Sequence, residues 1–340
     1  MSVKPESIIS IVGSESLLGR ELRDQVADRK LPGRVELIGS DEKAAGILSV
    51  QEDEAVVLTA LDADRLQRSE IVFLAGSADS SRRALGMLAK KKKGPALIDL
   101  TGGLEDQPNA RLRSPMTEPE GYTTPADAIH VIAHPAATVL TLILGRIQKR
   151  HPIEHAIVQI LEPASERGQA GITELQQQTA NLLAFKPLNR DVFDAQASFN
   201  VLPRYGSDAP EHLEDIEQRI DRHTATLLGV ANKVPMPSLR LIQAPVFHGH
   251  SFSFWISFRE PVSTSAISEA LATAQIEVRS PDLDPPSNVG SVGQSGVTVG
   301  LIEADRNHPN AMWMWAVADN FYITVENAIS VGRSLQERKA

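Results

Sequence analysis

Through the first hundred residues, short and almost unbroken apolar runs alternate with helical patterns. Ile8–Val12 is apolar apart from Ser10 and stops at Gly13. Residues 17–27 place their apolar positions on one helical face and end at Lys30-Leu31-Pro32-Gly33. A second apolar run covers residues 35–38, a third 71–75 and a fourth 96–100, with a helical pattern over 80–90 between the last two. Strands that are apolar throughout, separated by helices, predict a parallel sheet covered on both faces, the doubly wound arrangement. Residues 104–126 are rich in Pro, Glu, Asn, Ser and Thr and read as a long surface loop. Beyond them the alternation is less regular. Strand-like runs lie at 156–161, 239–246, 252–258 and 312–317, and helical patterns at 172–183, 212–228 and 265–274, with a last helix over 322–338. This predicts an α+β domain with a mixed or antiparallel sheet. The last three strand-like runs are apolar at nearly every position and call for cover on both faces.

The chain has 340 residues, of which 42% are hydrophobic and 23% charged, enough for two soluble domains with their own cores. Its net charge of -9 argues against a nucleic acid or an anionic membrane as a partner. The one basic run, Lys90 to Lys93, reads as a solvated helix C-terminus favoured by the helix dipole. There is no cysteine, which removes disulfides, thiolate metal sites and thiol catalysis together. No stretch reaches the roughly 18 apolar residues of a membrane span, and the first ten residues carry no leader-like pattern. A cytoplasmic location is expected.

Gly13-Ser14-Glu15-Ser16-Leu17-Leu18-Gly19 follows a predicted strand and opens a predicted helix, the context of a dinucleotide-binding turn. There, glycines let backbone N–H groups approach a pyrophosphate at the helix N-terminus. Ser16 takes the middle glycine's place and Glu15 adds negative charge, so the same residues also suit a serine-capped helix start. After the second strand comes Ser40-Asp41-Glu42. An acidic side chain at that point accepts from a ribose 2′-hydroxyl and repels a 2′-phosphate, so NAD, weakly bound, is expected over NADP.

Five segments resemble the aspartate-semialdehyde dehydrogenase family in order and spacing. Ile98-Asp99-Leu100-Thr101-Gly102-Gly103-Leu104-Glu105 is similar to I-D-N-S-S-A-F-R, and Ile132-Ala133-His134-Pro135-Ala136-Ala137-Thr138 to the nucleophile segment I-P-N-P-N-C-S/T. Ala197-Ser198-Phe199-Asn200-Val201-Leu202-Pro203 is similar to A-F-N-V-I-P with one residue added. Pro245-Val246-Phe247-His248-Gly249-His250-Ser251 resembles P-V-F-x-G-H-S, and Val317-Ala318-Asp319-Asn320 resembles V-S-D-N. The resemblance implies a Rossmann-type domain over residues 1–135, with the C-terminal helix 319–340 packing back on it. It also implies a mixed-sheet substrate and dimerisation domain over 136–318, and hence a homodimer.

Carried over residue by residue, the resemblance implies extensive loss. Ala137 stands at the nucleophile and Ala136 at the asparagine before it. Glu105 stands where an arginine holds phosphate, and Gln243 where an arginine clamps the substrate carboxylate. Glu162 replaces a glutamine, with Ser165 and Gly168 of that loop retained, and Glu42 replaces the arginine that reads the NADP phosphate. Ile323-Thr324 replaces a lysine-glycine pair. The acid/base histidine is retained as His250, and Arg219 falls near a substrate-binding lysine. Losing a covalent nucleophile costs on the order of 10⁶ in turnover. Each lost charge-assisted contact costs about 1.5–3 kcal/mol of substrate binding. His134, His248, His250 and Glu162 could in principle ligate zinc, but a relic histidine among unrelated positions is the commoner origin, and no metal is expected. Thr138 reads as a helix cap after Pro135 and not as a replacement nucleophile.

The expected protein is therefore a dimeric member of this family in a binding or regulatory role, inactive in the family's reaction. One alternative is an NAD-dependent oxidoreductase that uses His250 without a thioester. Another is a non-catalytic subunit that pairs with an active paralogue.

Overall fold

The computed structural model describes residues 7–338 except 42, 43, 45, 47, 52, 53, 89–93 and 231–233. The chain divides into two compact units, Met1–Pro115 with Glu120–Ala133 and Thr324–Ala340, and Met116–Pro119 with His134–Ile323.

The first unit contains β1 (Ile8–Val12), α1 (Leu17–Asp28), β2 (Arg34–Ile38), β3 (Leu48–Gln51), β4 (Glu54–Val57), α2 (Ala63–Arg68), β5 (Ile71–Leu74), α3 (Ala78–Leu88), β6 (Ala96–Asp99), β7 (Ala110–Arg113) and β8 (Ile129–Ile132). Six strands form one parallel sheet in the order β2-β1-β5-β6-β8-β7, while β3 and β4 pair separately as an antiparallel hairpin. Because β5 and β8 are buried at every position, both faces need cover. One face packs Ile9, Ile11, Phe73 and Ile98 against Leu22 and Val26 of α1 and against Val325, Ala328 and Ile329. The other packs Val12, Val72, Leu74 and Leu97 against Leu66 of α2 and Ala84 and Leu88 of α3. The predicted doubly wound fold is therefore present.

The second unit runs through α4 (Pro135–Gln148), β9 (Ile153–Glu162), a 3₁₀ turn (Ala164–Arg167), α5 (Gly168–Leu183), α6 (Leu213–Val230), β10 (Ser238–Gln243), β11 (His250–Phe258), α7 (Thr264–Leu271), β12 (Ile276–Val278), α8 (Asn288–Ser291), β13 (Val297–Ala304) and β14 (Ala311–Ala318); α9 (Asn320–Glu337) follows β14. Its sheet has the order β10-β9-β11-β14-β13-β12, antiparallel in the middle and parallel at both margins, as a mixed sheet requires.

Several expectations are corrected. The stretch 104–126 is not all loop, since β7 lies within it at the sheet edge. Its Ala-Arg-Leu-Arg looks polar although Arg113 is buried, because that guanidinium is paired with His130 Nδ1 at 3.0 Å. The strand β8 was not foreseen, and the helix α4 was anticipated only through the cap expected after Pro135. Twelve of the α4 residues are buried, so the helix shows no polar face and its periodicity is invisible. Thr138 is not its cap; His134 is, with Pro135 in the first turn. Strand β13 was hidden by Gly300, beside which its pairing with β14 shifts register. Strand β10 ends at Gln243 and exposes Ser238 and Arg240, so it is not apolar on both faces. Lys90 to Lys93 and Glu42 lie outside the described residues.

Candidate functional site

The turn after β1 is closely packed at its first and third glycines. Gly13 has φ +81°, and a Cβ there would lie 2.1 Å from the Gly76 Cα. A Cβ on Gly19 would lie 2.1 Å from the Gly13 carbonyl oxygen, so helix α1 can approach the strand only through glycine. The middle position differs. Ser16 caps α1, accepting from the Gly19 N–H at 2.8 Å while its hydroxyl donates to the Ala75 carbonyl at 2.7 Å. Glu15 reaches across to β2, its Oε1 accepting from the Ser40 N–H at 3.0 Å. The Ser40 carbonyl accepts from Arg83 at 2.7 Å. Asp41 is engaged in a turn, accepting from the Ala44 N–H at 2.9 Å. Glu105 follows β6 in the same unit, in a turn organised by buried Asp99. Asp99 accepts from the Thr101 N–H and hydroxyl and from the Leu104 N–H.

The second unit assembles a different group of side chains. Strands β10 and β9 are parallel with Gln243 opposite Glu162, and β11 begins at His250, so adjacent strands deliver these groups at their ends. All three are buried to within 1%. The Gln243 amide donates to the carbonyls of Glu162 and Ala244 and accepts from the Tyr205 hydroxyl at 2.7 Å. Glu162 pairs with Arg167 at 3.0 Å, and Arg167 also pairs with Glu211. Burial pushes the Glu162 carboxyl up to about 7, against the pull of the Arg167 guanidinium. For Arg167, burial alone would weaken the charge, but Glu162, Tyr205 and Glu166 together more than offset it and hold the proton on.

Glu166 lies between two imidazoles. Its Oε2 is 3.6 Å from His134 Nε2, its Oε1 is 3.9 Å from His250 Nδ1, and the Asn320 amide donates to Oε1 at 2.9 Å. Asn320 in turn accepts from the Gly249 N–H at 3.2 Å and from the Ser165 hydroxyl, tying the loops before β11 and after β9 to the start of α9. Burial lowers His250, with Glu166 opposing, and lowers His134 much further, with Arg219 and His250 adding to the effect. Both rings are therefore neutral at pH 7. His250 Nε2 is buried with no hydrogen-bond partner among the described residues. The His134 N–H donates to His223 Nδ1 at 3.0 Å.

Ala136 and Ala137 occupy the first turn of α4, each fully buried. The structure thus brings together Glu162, Gln243 and His250 of the sequence-derived candidates, places Ala137 in the same unit, and leaves Glu105 and the glycine turn in the other. His248 is half-buried against Phe321, and no group of three or more His, Asp or Glu side chains that could hold a metal is present among the described residues. Glu166, Arg167, Tyr205 and His223 were missed. Glu166 and Arg167 sit between two loop residues already singled out, Ser165 and Gly168, which could have pointed to them. Nothing near Tyr205 or His223 in the sequence could have done so. Among the described residues no helix is long and apolar enough to cross a membrane.

A doubly wound parallel domain joined to a mixed-sheet domain that gathers His250, Glu166 and Asn320 defines a two-domain α/β protein. Residues 144–323 match the family model described as the semialdehyde dehydrogenase dimerisation domain. The chain is 30% identical to the USG-1 protein homolog of Pseudomonas aeruginosa over 92% of each chain, and 25% identical to the aspartate-semialdehyde dehydrogenase of Rickettsia bellii, again over 92% of each. The solved structure of a probable aspartate-semialdehyde dehydrogenase from Pseudomonas aeruginosa superposes with a TM-score of 0.86 at 27% identity, covering 98% of this chain and 100% of the other. The chain belongs to the aspartate-semialdehyde dehydrogenase family.

Proposed function

We propose that this chain is a dimeric binding or regulatory member of its family that does not oxidise an aldehyde through a thioester. The observation that carries this is Ala137, a methyl group buried in the first turn of α4 in a chain with no cysteine. No neighbouring thiol can replace the nucleophile, and its loss costs on the order of 10⁶ in turnover. The surroundings support the same reading. Gln243 is uncharged and bonded to Tyr205, and the buried guanidinium of Arg167 is taken up by Glu162 and Glu211. In the first unit, Glu105, which by resemblance stands for a phosphate-holding arginine, carries the phosphate's own sign. The test is a coupled absorbance assay with aspartate semialdehyde, phosphate and either cofactor. The native chain is expected to show no turnover, and Ala137→Cys none either, since the anion contacts are gone too. Native turnover within a hundredfold of a typical enzyme's roughly 10 s⁻¹ would overturn the proposal.

In the first unit, Gly13 and Gly19 keep the close approaches that a bound dinucleotide's turn requires, and a buried Glu15 oxygen is left without a donor among the described residues. These features fit a nicotinamide dinucleotide. Gly13, Ser16 and Gly19 would border its pyrophosphate and Ser40 its ribose, and the group would supply hydride exchange when bound. NAD, weakly held, is favoured over NADP. A second reading is favoured by the unpartnered His250 Nε2: proton transfer to or from an aldehyde or alcohol in a non-covalent oxidoreduction. Dinucleotide-dependent turnover of an aldehyde or alcohol that is lost in His250→Gln would identify it.

The dimer is proposed on the sheet of the second unit. Its uncovered face carries Ile157, Trp255 and Trp313 side by side across β9, β11 and β14, with Ile157 and Trp313 about half exposed. A row of large apolar side chains in the region that matches a dimerisation domain fits a second copy of the chain.

A further inference from the structure

We propose that Glu15 reads the adenosine ribose of a dinucleotide bound to the first unit, accepting a hydrogen bond from the 2′-hydroxyl and repelling a 2′-phosphate. This rests on the reading of that unit as a dinucleotide site. In doubly wound folds the acid that binds this hydroxyl extends from the end of the second strand. Here Asp41, at the end of β2, has one oxygen turned onto the Ala44 N–H at 2.9 Å. A second carboxylate arrives from the glycine turn. Glu15 Oε1 accepts from the Ser40 N–H at 3.0 Å, which fixes the side chain just beyond Ile38, the last residue of β2.

Its second oxygen, Oε2, is buried and has no partner among the described residues. A buried carboxylate oxygen without a donor is costly, and a ribose hydroxyl supplies the missing donor. The turn around it is rigid. Gly13 is pressed against Gly76, and a Cβ on Gly76 would lie 2.8 Å from the Ser40 Cβ, so the β1, β2 and β5 ends close on one another without slack. Ser16 does not compete, because its hydroxyl is turned to the Ala75 carbonyl and the Gly19 N–H. The opposing group is Arg83, which donates to the Ser40 carbonyl at 2.7 Å and whose cation a 2′-phosphate would seek. Arg83 is exposed and screened by salt, whereas the Glu15 carboxylate is half-buried, so the carboxylate decides the preference.

Calorimetric titration of the full chain with NAD, NADP and 2′-deoxy-NAD tests this, alongside Glu15→Gln and Asp41→Asn. Glutamine keeps an acceptor for the Ser40 N–H while removing the charge, and an unchanged melting temperature shows that the turn is intact. The native chain is expected to bind NAD more tightly than NADP, and 2′-deoxy-NAD more weakly than NAD by roughly tenfold. Glu15→Gln should shift the NAD-to-NADP ratio toward NADP by roughly tenfold to a hundredfold. Equal or tighter NADP binding by the native chain overturns the proposal, as does an unchanged ratio in Glu15→Gln or a larger shift in Asp41→Asn. Failure of every dinucleotide to bind overturns the reading of the unit itself, and the proposal with it. The deoxy analogue decides the matter on the native chain even where Glu15→Gln does not fold.

Discussion

Glu162 and the two imidazoles pull the stability of the second unit in opposite directions as pH changes. The raised Glu162 carboxyl keeps its proton in the folded chain up to about 7 but loses it near 4.5 when unfolded. Its contribution to stability is present in full below 4.5 and is lost as pH rises through 7. His134 and His250 are lowered, so the unfolded chain takes up protons that the folded chain refuses. Their contribution is complete above 6.5 and is lost as pH falls below it. In Glu162→Gln the decline in melting temperature from about pH 5 to 7.5 should flatten, and the acid limb should remain. Thermal melts across pH 4–9 check both limbs. An unchanged alkaline limb in Glu162→Gln would mean that Arg167 holds the carboxylate ionised throughout.

Elements are where glycine matters most in this chain. The β1–α1 turn depends on Gly13 because its φ is +81° and its missing Cβ makes room for the Gly76 backbone. Gly13→Ala adds a strained conformation to a backbone clash, and it should destabilise the first unit by about 2 kcal/mol or more. A urea titration that resolves the first unit should show its midpoint move, and a shift within error would mean the turn can open. In the second unit, Asp305 accepts from both Trp255 and Trp313 indole N–H groups, at 2.7 and 2.9 Å, and so fixes two members of the uncovered row. Two of the elements that the pattern did not mark out share a physical cause. Helix α4 is apolar all round and β7 is an edge, so neither displays the period that its class shows when half of it is wet.

The whole molecule is expected to be a dimer in solution. Ile157→Lys places a charge in the apolar row without touching the Asp305 hydrogen bonds, and it should shift the chain toward monomer in sedimentation equilibrium at low micromolar concentration. Trp313→Lys should do the same. A native chain that sediments at the mass of one chain would remove the dimer, and with it any association with a paralogue through this face.

The division between what sequence and structure decide is physical. Alternating apolar strands and helices, the glycine turn, the absence of cysteine and five colinear segments were readable in order along the chain, because each depends on neighbours within a few residues. They were enough for the fold class and the family. Hydrogen-bond partners were not readable, because they join residues far apart. Tyr205 meets Gln243, His134 meets His223, and Asn320 ties Glu166 to Gly249 only once the second sheet has formed. The same holds for the acid at the end of β2. Charge alone nominated Asp41 and Glu42; folding sets one Asp41 oxygen against the Ala44 N–H and also brings Glu15, twenty-five residues before Ser40, to that strand end. A carboxylate's role is set by which donors the tertiary structure leaves for it, and no local pattern encodes that.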